Sequence, residues 1–188
     1  MGERIEGVSG RLDILRGTAG RRTKMTKRFA MLVAVAAVTF VGPGADAQLS
    51  KRGSFSGIVG YHYPMSQVVQ VDNDHWIWGG MYYGAFRNDV GEGFLHRTSV
   101  VCTALGELKK GSMIHNSGDC AATDKDGDKA NWNWKCTACP GQGWAGEFQY
   151  TGGTGKYAGL KGRGTYQETN VAGTGNGWSV LKGEWELP

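Results

Sequence analysis

Short segments in which apolar and polar side chains alternate run through the chain after residue 50. In residues 144–151, Phe148 and Tyr150 fall on one face, and Glu147 and Gln149 fall on the other. Alternation with a period of two is typical of β-strands that have one dry and one wet face. Glycine-rich turn signals separate the segments, and no helical pattern stands out between them. The predicted strands that the pattern marks most clearly lie at 55–63, 66–72, 75–87, 93–105, 113–124, 144–151 and 178–187.

This spacing predicts an all-β fold, with a barrel or a sandwich as its two forms. About eight strands in about 141 residues suit a small antiparallel β-barrel. The interior of such a barrel is filled by its own side chains or holds one small ligand.

The segment before residue 48 has the three parts of a secretory signal peptide. Lys27 and Arg28 form a basic start, residues 29–41 form an apolar core, and small residues end at Ala47. The apolar core is shorter than the ~20 residues that a membrane-spanning helix needs. We therefore expect residues 25–47 to be removed on export to the periplasm or the extracellular space. Residues 1–24 are then expected to be an over-long upstream extension, with translation starting at Met25.

The charge of the mature chain differs from that of the whole sequence. The presequence 1–47 holds 8 of the 21 basic and 4 of the 17 acidic residues, which leaves 13 of each in residues 48–188. A net charge of zero gives no support for nucleic-acid binding. Residues 48–188 are expected to form one domain.

All four cysteines lie in the mature part of the chain. An even number in an exported protein predicts two disulfide bonds. One Cys-x-x-Cys pair without a second, and without a following histidine, argues against zinc or covalent haem. Of the three possible connectivities we favour Cys102–Cys120 with Cys136–Cys139.

The segment TDKDGDKANWNW, residues 123–134, raises the question of a calcium loop. Asp124, Asp126 and Asp128 are spaced as calcium ligands, but the glycine and the twelfth-position glutamate of an EF-hand are missing. Asp-Gly is a strong type I′ hairpin dipeptide. We therefore predict a tight turn centred on Asp126 and Gly127, with exposed carboxylates paired to Lys125 and Lys129. A calcium site is the weaker alternative.

The segment GGTGKYAGLKGRGTY, residues 152–166, resembles a late hairpin of exported β-barrel proteins of the allene oxide cyclase and dirigent type. The pairing of GDCAATDKDGD with GGTGKYAG is also similar to a group of bacterial secreted proteins. The resemblance covers roughly residues 93–168. It implies an up-and-down barrel of eight strands that binds an apolar molecule and steers its cyclisation or coupling, without a metal or organic cofactor. No functional residue of those families matches this chain one by one.

Candidate ligand-binding residues lie on the third and fourth predicted strands. An aromatic segment that could line a pocket for a flat apolar ligand contains Trp76, Trp78, Met81, Tyr82 and Tyr83. His96 alternates with Phe94 and Val100, which predicts that its side chain faces inward. An inward histidine is either a satisfied interior polar group or a catalytic base. No nucleophile motif or paired-carboxylate pattern accompanies these residues.

These observations predict an exported, disulfide-bonded barrel that binds a small apolar or aromatic ligand without chemistry of its own. Two alternatives remain open. One is a cofactor-independent cyclase or isomerase acting inside the barrel, and the other is a structural or interaction protein with a filled barrel. An interior cavity above roughly 300 Å³ favours the first two readings, and polar groups converging in that cavity favour the enzyme.

Overall fold

The computed structural model describes residues 49–64, 66–139 and 143–188. The predictions for the presequence and its cleavage after Ala47 lie outside these residues. The described part of the chain is made of β-strands, the turns between them and one short 3₁₀ turn at Gly155–Tyr157. The strands are β1 (Arg52–His62), β2 (Ser66–Asp72), β3 (His75–Asn88), β4 (Thr98–Lys109), β5 (Ser112–Thr123), β6 (Lys129–Ala138), β7 (Gly143–Gly153), β8 (Lys161–Val171) and β9 (Asn176–Glu186).

The sheet closes on itself through β1, which pairs with β9 on one side and with β3 on the other. Each strand from β3 to β9 is antiparallel to the next one in sequence. Strands β1 and β3 to β9 therefore form a closed up-and-down barrel of eight strands. Strand β2 lies outside the closure, because it pairs only with the first half of β3. The predicted all-β barrel is confirmed.

The predicted alternation of faces is also confirmed. Phe148 and Tyr150 on β7 are 4% and 5% exposed, and Leu181 and Trp185 on β9 are buried. Their polar neighbours along the strands, including Glu147, are exposed. The inward side chains form one apolar core inside the barrel.

One end of the barrel, which we call the packed end, is covered by the segments 89–97, 124–128 and 154–160. The other end, which we call the hollow end, is the one at which β1, β4, β6 and β8 finish. Phe94 lies inside the packed end and stacks on Trp185, with ring centroids 4.5 Å apart and planes 5° apart. Tyr157 and Leu160 come from the loop between β7 and β8 and are 3% and 1% exposed. Side chains from loops therefore fill the lumen at this end.

The fourth strand is shorter than the sequence predicted. Residues 93–97 form a turn and β4 begins only at Thr98, because Leu95 and Arg97 have positive φ and cannot continue a strand. The side chain of Asn88 holds this turn by donating a hydrogen bond to the carbonyl of Phe94 at 3.1 Å. The turn carries Phe94 and Leu95 over the end of the barrel.

The structure pairs Cys102 with Cys120 and Cys136 with Cys139, as favoured from the sequence. Cys102 on β4 lies directly opposite Cys120 on β5, so the first disulfide links two neighbouring strands. The second disulfide links the end of β6 to the turn that follows it.

Candidate functional site

The hollow half of the lumen contains two adjoining cavities. The inner cavity measures about 70 Å³ and the outer cavity about 570 Å³. Tyr82 and Glu168 line both of them, so these two side chains stand where the cavities meet. The outer cavity is lined by Tyr63, Val68, Trp76, Trp78, Tyr82, Leu108, Trp144, Glu168, Asn170 and Gly175.

Strand β3 supplies much of the aromatic wall through its period of two. Trp76, Trp78 and Tyr82 lie at even positions and share the inner face. Gly106 on β4 is paired with Trp78, and a β-carbon at Gly106 would collide with the indole ring. Because Gly106 has no side chain, the indole ring of Trp78 has room to lie over β4.

Glu168 on β8 is the acidic residue that lines both cavities. Its side chain is buried, with 9% of the residue exposed. The Asn170 amide donates a hydrogen bond to Glu168 Oε1 at 3.2 Å, and the Tyr61 hydroxyl donates to Asn170 Oδ1 at 2.8 Å. Burial raises the pKa of Glu168 above its ordinary value of 4.5, and hydrogen bonds from Tyr61 and Asn170 offset part of this effect.

Three tyrosine hydroxyls surround this carboxyl group. Burial raises the pKa values of Tyr61, Tyr82 and Tyr166, and the neighbouring charge of Glu168 raises them further. These phenols are therefore uncharged hydrogen-bond donors over the physiological range. The Tyr166 hydroxyl is buried and has no hydrogen-bond partner among the described residues. A polar atom of this kind can donate to a molecule in the cavity.

The lining of both cavities contains no lysine, arginine or histidine among the described residues. Glu168 is the one ionisable acid in that lining. The site is thus an aromatic chamber with a single acid and several phenols at its inner end. Such an arrangement can bind an apolar molecule, donate hydrogen bonds to it, or exchange a proton with it.

The predicted ligand-binding residues occupy three different places. Trp76 and Trp78 line the outer cavity. Met81 and Tyr83 face the outside of the barrel, 39% and 47% exposed, and the Tyr83 hydroxyl lies 3.5 Å from the Met81 sulfur. His96 lies in the 89–97 turn at the packed end, where its Nδ1 accepts a hydrogen bond from the backbone N–H of Asn88 at 3.3 Å.

Glu168, Tyr61 and Tyr166 were missed as candidate site residues, whereas Tyr82 belonged to the predicted aromatic segment. Their signal is present in the sequence, because Tyr166, Glu168 and Asn170 alternate along one strand and must share a face. Tyr61 on β1 and Tyr82 on β3 face inward by the same period of two along their own strands. What the sequence does not contain is which ends of these strands meet around one cavity.

The three aspartates considered as calcium ligands, Asp124, Asp126 and Asp128, lie in the turn between β5 and β6. Backbone N–H groups of Gly127 and Asp124 donate to the carbonyls of Asp124 and Asp128, each at 3.1 Å. Gly127 has a φ of 85°, whereas Asp126 does not have positive φ. The predicted hairpin is present, but the type I′ turn is wrong. The chain makes a three-residue loop that ends on a left-handed glycine, which is another common hairpin form.

The predicted partners of these carboxylates are right only in part, because Lys125 pairs with Asp126 at 2.9 Å but the partner of Asp124 is a different lysine. Lys156, from the loop between β7 and β8, lies 2.7 Å from Asp124 and 2.9 Å from Asp126. The backbone N–H of Lys156 donates to Asp128 Oδ2 at 3.0 Å. The Asp124 side chain is 7% exposed and not open to solvent as expected. Lys156 and the three aspartates therefore fasten two loops together at the packed end.

The ammonium group of Lys156 occupies the space between Asp124 and Asp126, where a calcium ion would have to bind. Within the described ranges, no group of three or more His, Cys, Asp or Glu side chains is placed to share a metal ion. No helix in that part of the chain is long and apolar enough to cross a membrane.

No family model matches this chain, and no curated protein matches it. Among solved structures, the chain is similar to a pterocarpan synthase dirigent protein, with a TM-score of 0.46 and 12% sequence identity. The match covers 75% of this chain and 88% of that one. At this level the likeness decides neither family nor activity, and the barrel assignment rests on the strand pairing described above.

Proposed function

We propose that this protein binds one small, flat, apolar ligand in the outer cavity at the hollow end of its barrel. The observation that carries the proposal is the cavity itself, about 570 Å³ and walled by two tyrosines and three tryptophans. This volume lies in the range of small-molecule sites, about 300–1,000 Å³, and an apolar wall with a few polar groups is their usual composition. Side chains fill only the packed half of the lumen, so the alternative of a structural protein with a filled barrel does not account for the hollow half.

The test uses N-phenyl-1-naphthylamine, an uncharged dye that fluoresces more strongly in apolar surroundings. We expect saturable binding by the wild-type protein and about tenfold weaker binding by Trp78→Ala, which removes one wall of the cavity. The matched control is Trp178→Ala, because Trp178 is 42% exposed and lies outside the cavity lining. Absence of saturable binding, or an equal loss in both variants, would contradict the proposal.

A second candidate function is the cofactor-independent cyclase or isomerase. The observation that favours it is the convergence of Glu168 with the hydroxyls of Tyr61, Tyr82 and Tyr166 at the inner end of the cavity. A buried carboxyl group with a raised pKa keeps its proton to a higher pH than a free one and can donate that proton to a ligand oxygen. General acid catalysis of this kind needs no cofactor.

Turnover of styrene oxide, an apolar epoxide, tests this second function. Proton donation to the epoxide oxygen breaks the benzylic C–O bond, a 1,2-hydride shift then forms the aldehyde, and the hydroxyl proton returns to the carboxylate, so the product is the isomer phenylacetaldehyde. Gas chromatography follows its formation. We expect Glu168→Gln to remove the protein-dependent rate while dye binding persists. Equal rates for the variant and the wild type would exclude Glu168 as the acid.

We also propose that the protein works outside the cytoplasm. Two disulfides in one small domain support this, because such bonds persist in oxidising compartments. Mass spectrometry of protein from its native cell should find a mature chain beginning at Gln48. An intact chain beginning at Met1 or Met25 in the soluble cytoplasm would contradict export.

A further inference from the structure

We propose that the ligand of the outer cavity is an organic cation, an ammonium group joined to a flat apolar body. This inference rests on the proposed function, since it names the class of ligand that the same cavity takes. Three observations lead to it: the arrangement of the aromatic rings, the position of Glu168, and the way other buried charge in this protein is paired.

The aromatic rings line one chamber from several strands and present both faces and edges. Tyr63 packs on Tyr82 with ring centroids 4.7 Å apart and planes 31° apart. Tyr63 also meets Trp78 edge to face, with centroids 6.0 Å apart. Trp76 and Trp144 complete the wall. Clustered tyrosine and tryptophan faces attract cations through the negative charge density of their rings, and quaternary ammonium groups are bound in this way.

Glu168 adds one negative group at the inner end of this wall. The groups that face it are the phenols of Tyr61 on β1, Tyr82 on β3 and Tyr166 on β8, and the amide of Asn170. None of these can supply a positive charge, and no basic side chain lines either cavity in the described ranges. Burial without a nearby cation raises the pKa of Glu168. A bound cation would compensate this burial and favour the ionised carboxylate.

A second acid with a largely buried side chain, Asp124, has a basic partner within the chain. Asp124, whose side chain is 7% exposed, has Lys156 at 2.7 Å. Even the more exposed Glu107, Glu147 and Glu184 have basic partners within 4 Å, on neighbouring strands. Buried charges in proteins are either paired or carry a large desolvation penalty. Among the described residues, Glu168 therefore lacks the basic partner that Asp124 and these three glutamates have, and a ligand cation would supply it.

The test compares two probes of the same shape. Phenyltrimethylammonium carries a positive nitrogen where tert-butylbenzene carries a neutral carbon. Both are titrated at pH 8 against the intrinsic tryptophan fluorescence of the full mature chain. We expect the cation to bind at least about tenfold more tightly than its neutral isostere. In Glu168→Gln this advantage should fall to about twofold, while binding of the neutral probe changes little.

Two further variants separate charge from packing. Glu184→Gln, the same substitution on the outer surface of β9, should leave both affinities unchanged. Trp78→Leu keeps an apolar wall but removes a ring face, so it should weaken the cation more than the neutral probe.

The outcomes distinguish this inference from the proposed function. Equal or tighter binding of tert-butylbenzene, insensitive to Glu168→Gln, would overturn the cationic ligand and leave an apolar ligand standing. Failure of both probes together with the uncharged naphthylamine dye would overturn both proposals.

Discussion

The two ends of this barrel are built from the same alternating strands and yet have opposite interiors. At the packed end, Phe94 and Tyr157 arrive from loops and fill the lumen. At the hollow end, the turn between β8 and β9 is Ala172 to Gly175 and carries no large apolar side chain. Strand alternation supplies inward aromatic residues at both ends, so the difference arises in the loops. A loop that folds a large side chain back inside closes the end of a barrel, and a short glycine-rich turn leaves it hollow.

The ends also differ in how they treat buried charge. At the packed end, Asp124 is buried against Lys156 and both charges are satisfied within the chain. At the hollow end, Glu168 is buried among phenols without a basic partner among the described residues. The packed end therefore has the features of a stabilising element, and the hollow end has those of a site. Functional groups commonly sit where local interactions are left incomplete.

The largest expected effect comes from breaking the packed end. Phe94→Ala removes a ring that contacts Phe55, Tyr150, Tyr157 and Trp185, and should lower the free energy of unfolding by about 3–5 kcal/mol. Urea unfolding followed by circular dichroism measures the change.

The matching substitution at the hollow end is Trp78→Ala. The Trp78 ring already borders a cavity, so its removal should lower the free energy of unfolding by only about 1–2 kcal/mol, less than for a ring packed on all sides. Equal losses for Phe94→Ala and Trp78→Ala would mean that the two ends are packed alike.

An intermediate loss of stability is expected from breaking the ion pair between Asp124 and Lys156, which joins two loops at the packed end. Burial alone would raise the pKa of Asp124, but hydrogen bonds from Lys156 and from the backbone N–H groups of Asp126 and Asp128 lower it below 3.8. Asp124→Asn should therefore cost about 1–2 kcal/mol near pH 7, above the usual value for an exposed ion pair. A lowered pKa contributes stability above the unfolded value, so the difference should disappear as the pH falls below about 3.8.

The control is Asp126→Asn. The Asp126 side chain is 47% exposed, so this substitution should lower the stability less than Asp124→Asn. Thermal unfolding at pH 7 and pH 3 measures both variants. An Asp124→Asn variant as stable as the wild type at pH 7 would show that Lys156 does not fasten the loops. Millimolar calcium should leave the melting temperature of the wild type unchanged, because Lys156 occupies the space between the carboxylates.

The smallest change in stability is expected from Glu168, the buried acid of the hollow end. Its raised pKa means that its contribution to stability is full below about 4.5 and is lost as the pH rises through the folded-state value. Glu168→Gln resembles the protonated acid, so it should raise the melting temperature at pH 8 and leave it unchanged at pH 4. Differential scanning calorimetry at both pH values measures this. A variant less stable than the wild type at pH 8 would show that the carboxylate is compensated within the chain.

The fold was predictable to the level of a small antiparallel barrel. The faces of Phe148, Tyr150, Leu181 and Trp185 follow from a period of two, which a single segment of sequence displays. The disulfide pairing was also within reach, because four cysteines allow only three connectivities. The error on residues 93–97 has a local cause. The alternation of Phe94, His96 and Thr98 imitates a strand, while the positive φ of Leu95 and Arg97 is imposed by contacts that hold the turn.

The strands, their dry and wet faces and the turn at Gly127 follow from local sequence, because each depends on neighbours a few residues apart. Which inward residues meet depends on how the barrel closes. Tyr61, Tyr82, Tyr166 and Glu168 come from three strands far apart in sequence, and barrel closure and strand register bring them to one cavity. The partner of Asp124 was decided in the same way, since Lys156 lies 32 positions away and reaches it only when two loops fold over the same end. Burial of a charge is a property of the closed barrel, and no local pattern of residues encodes it.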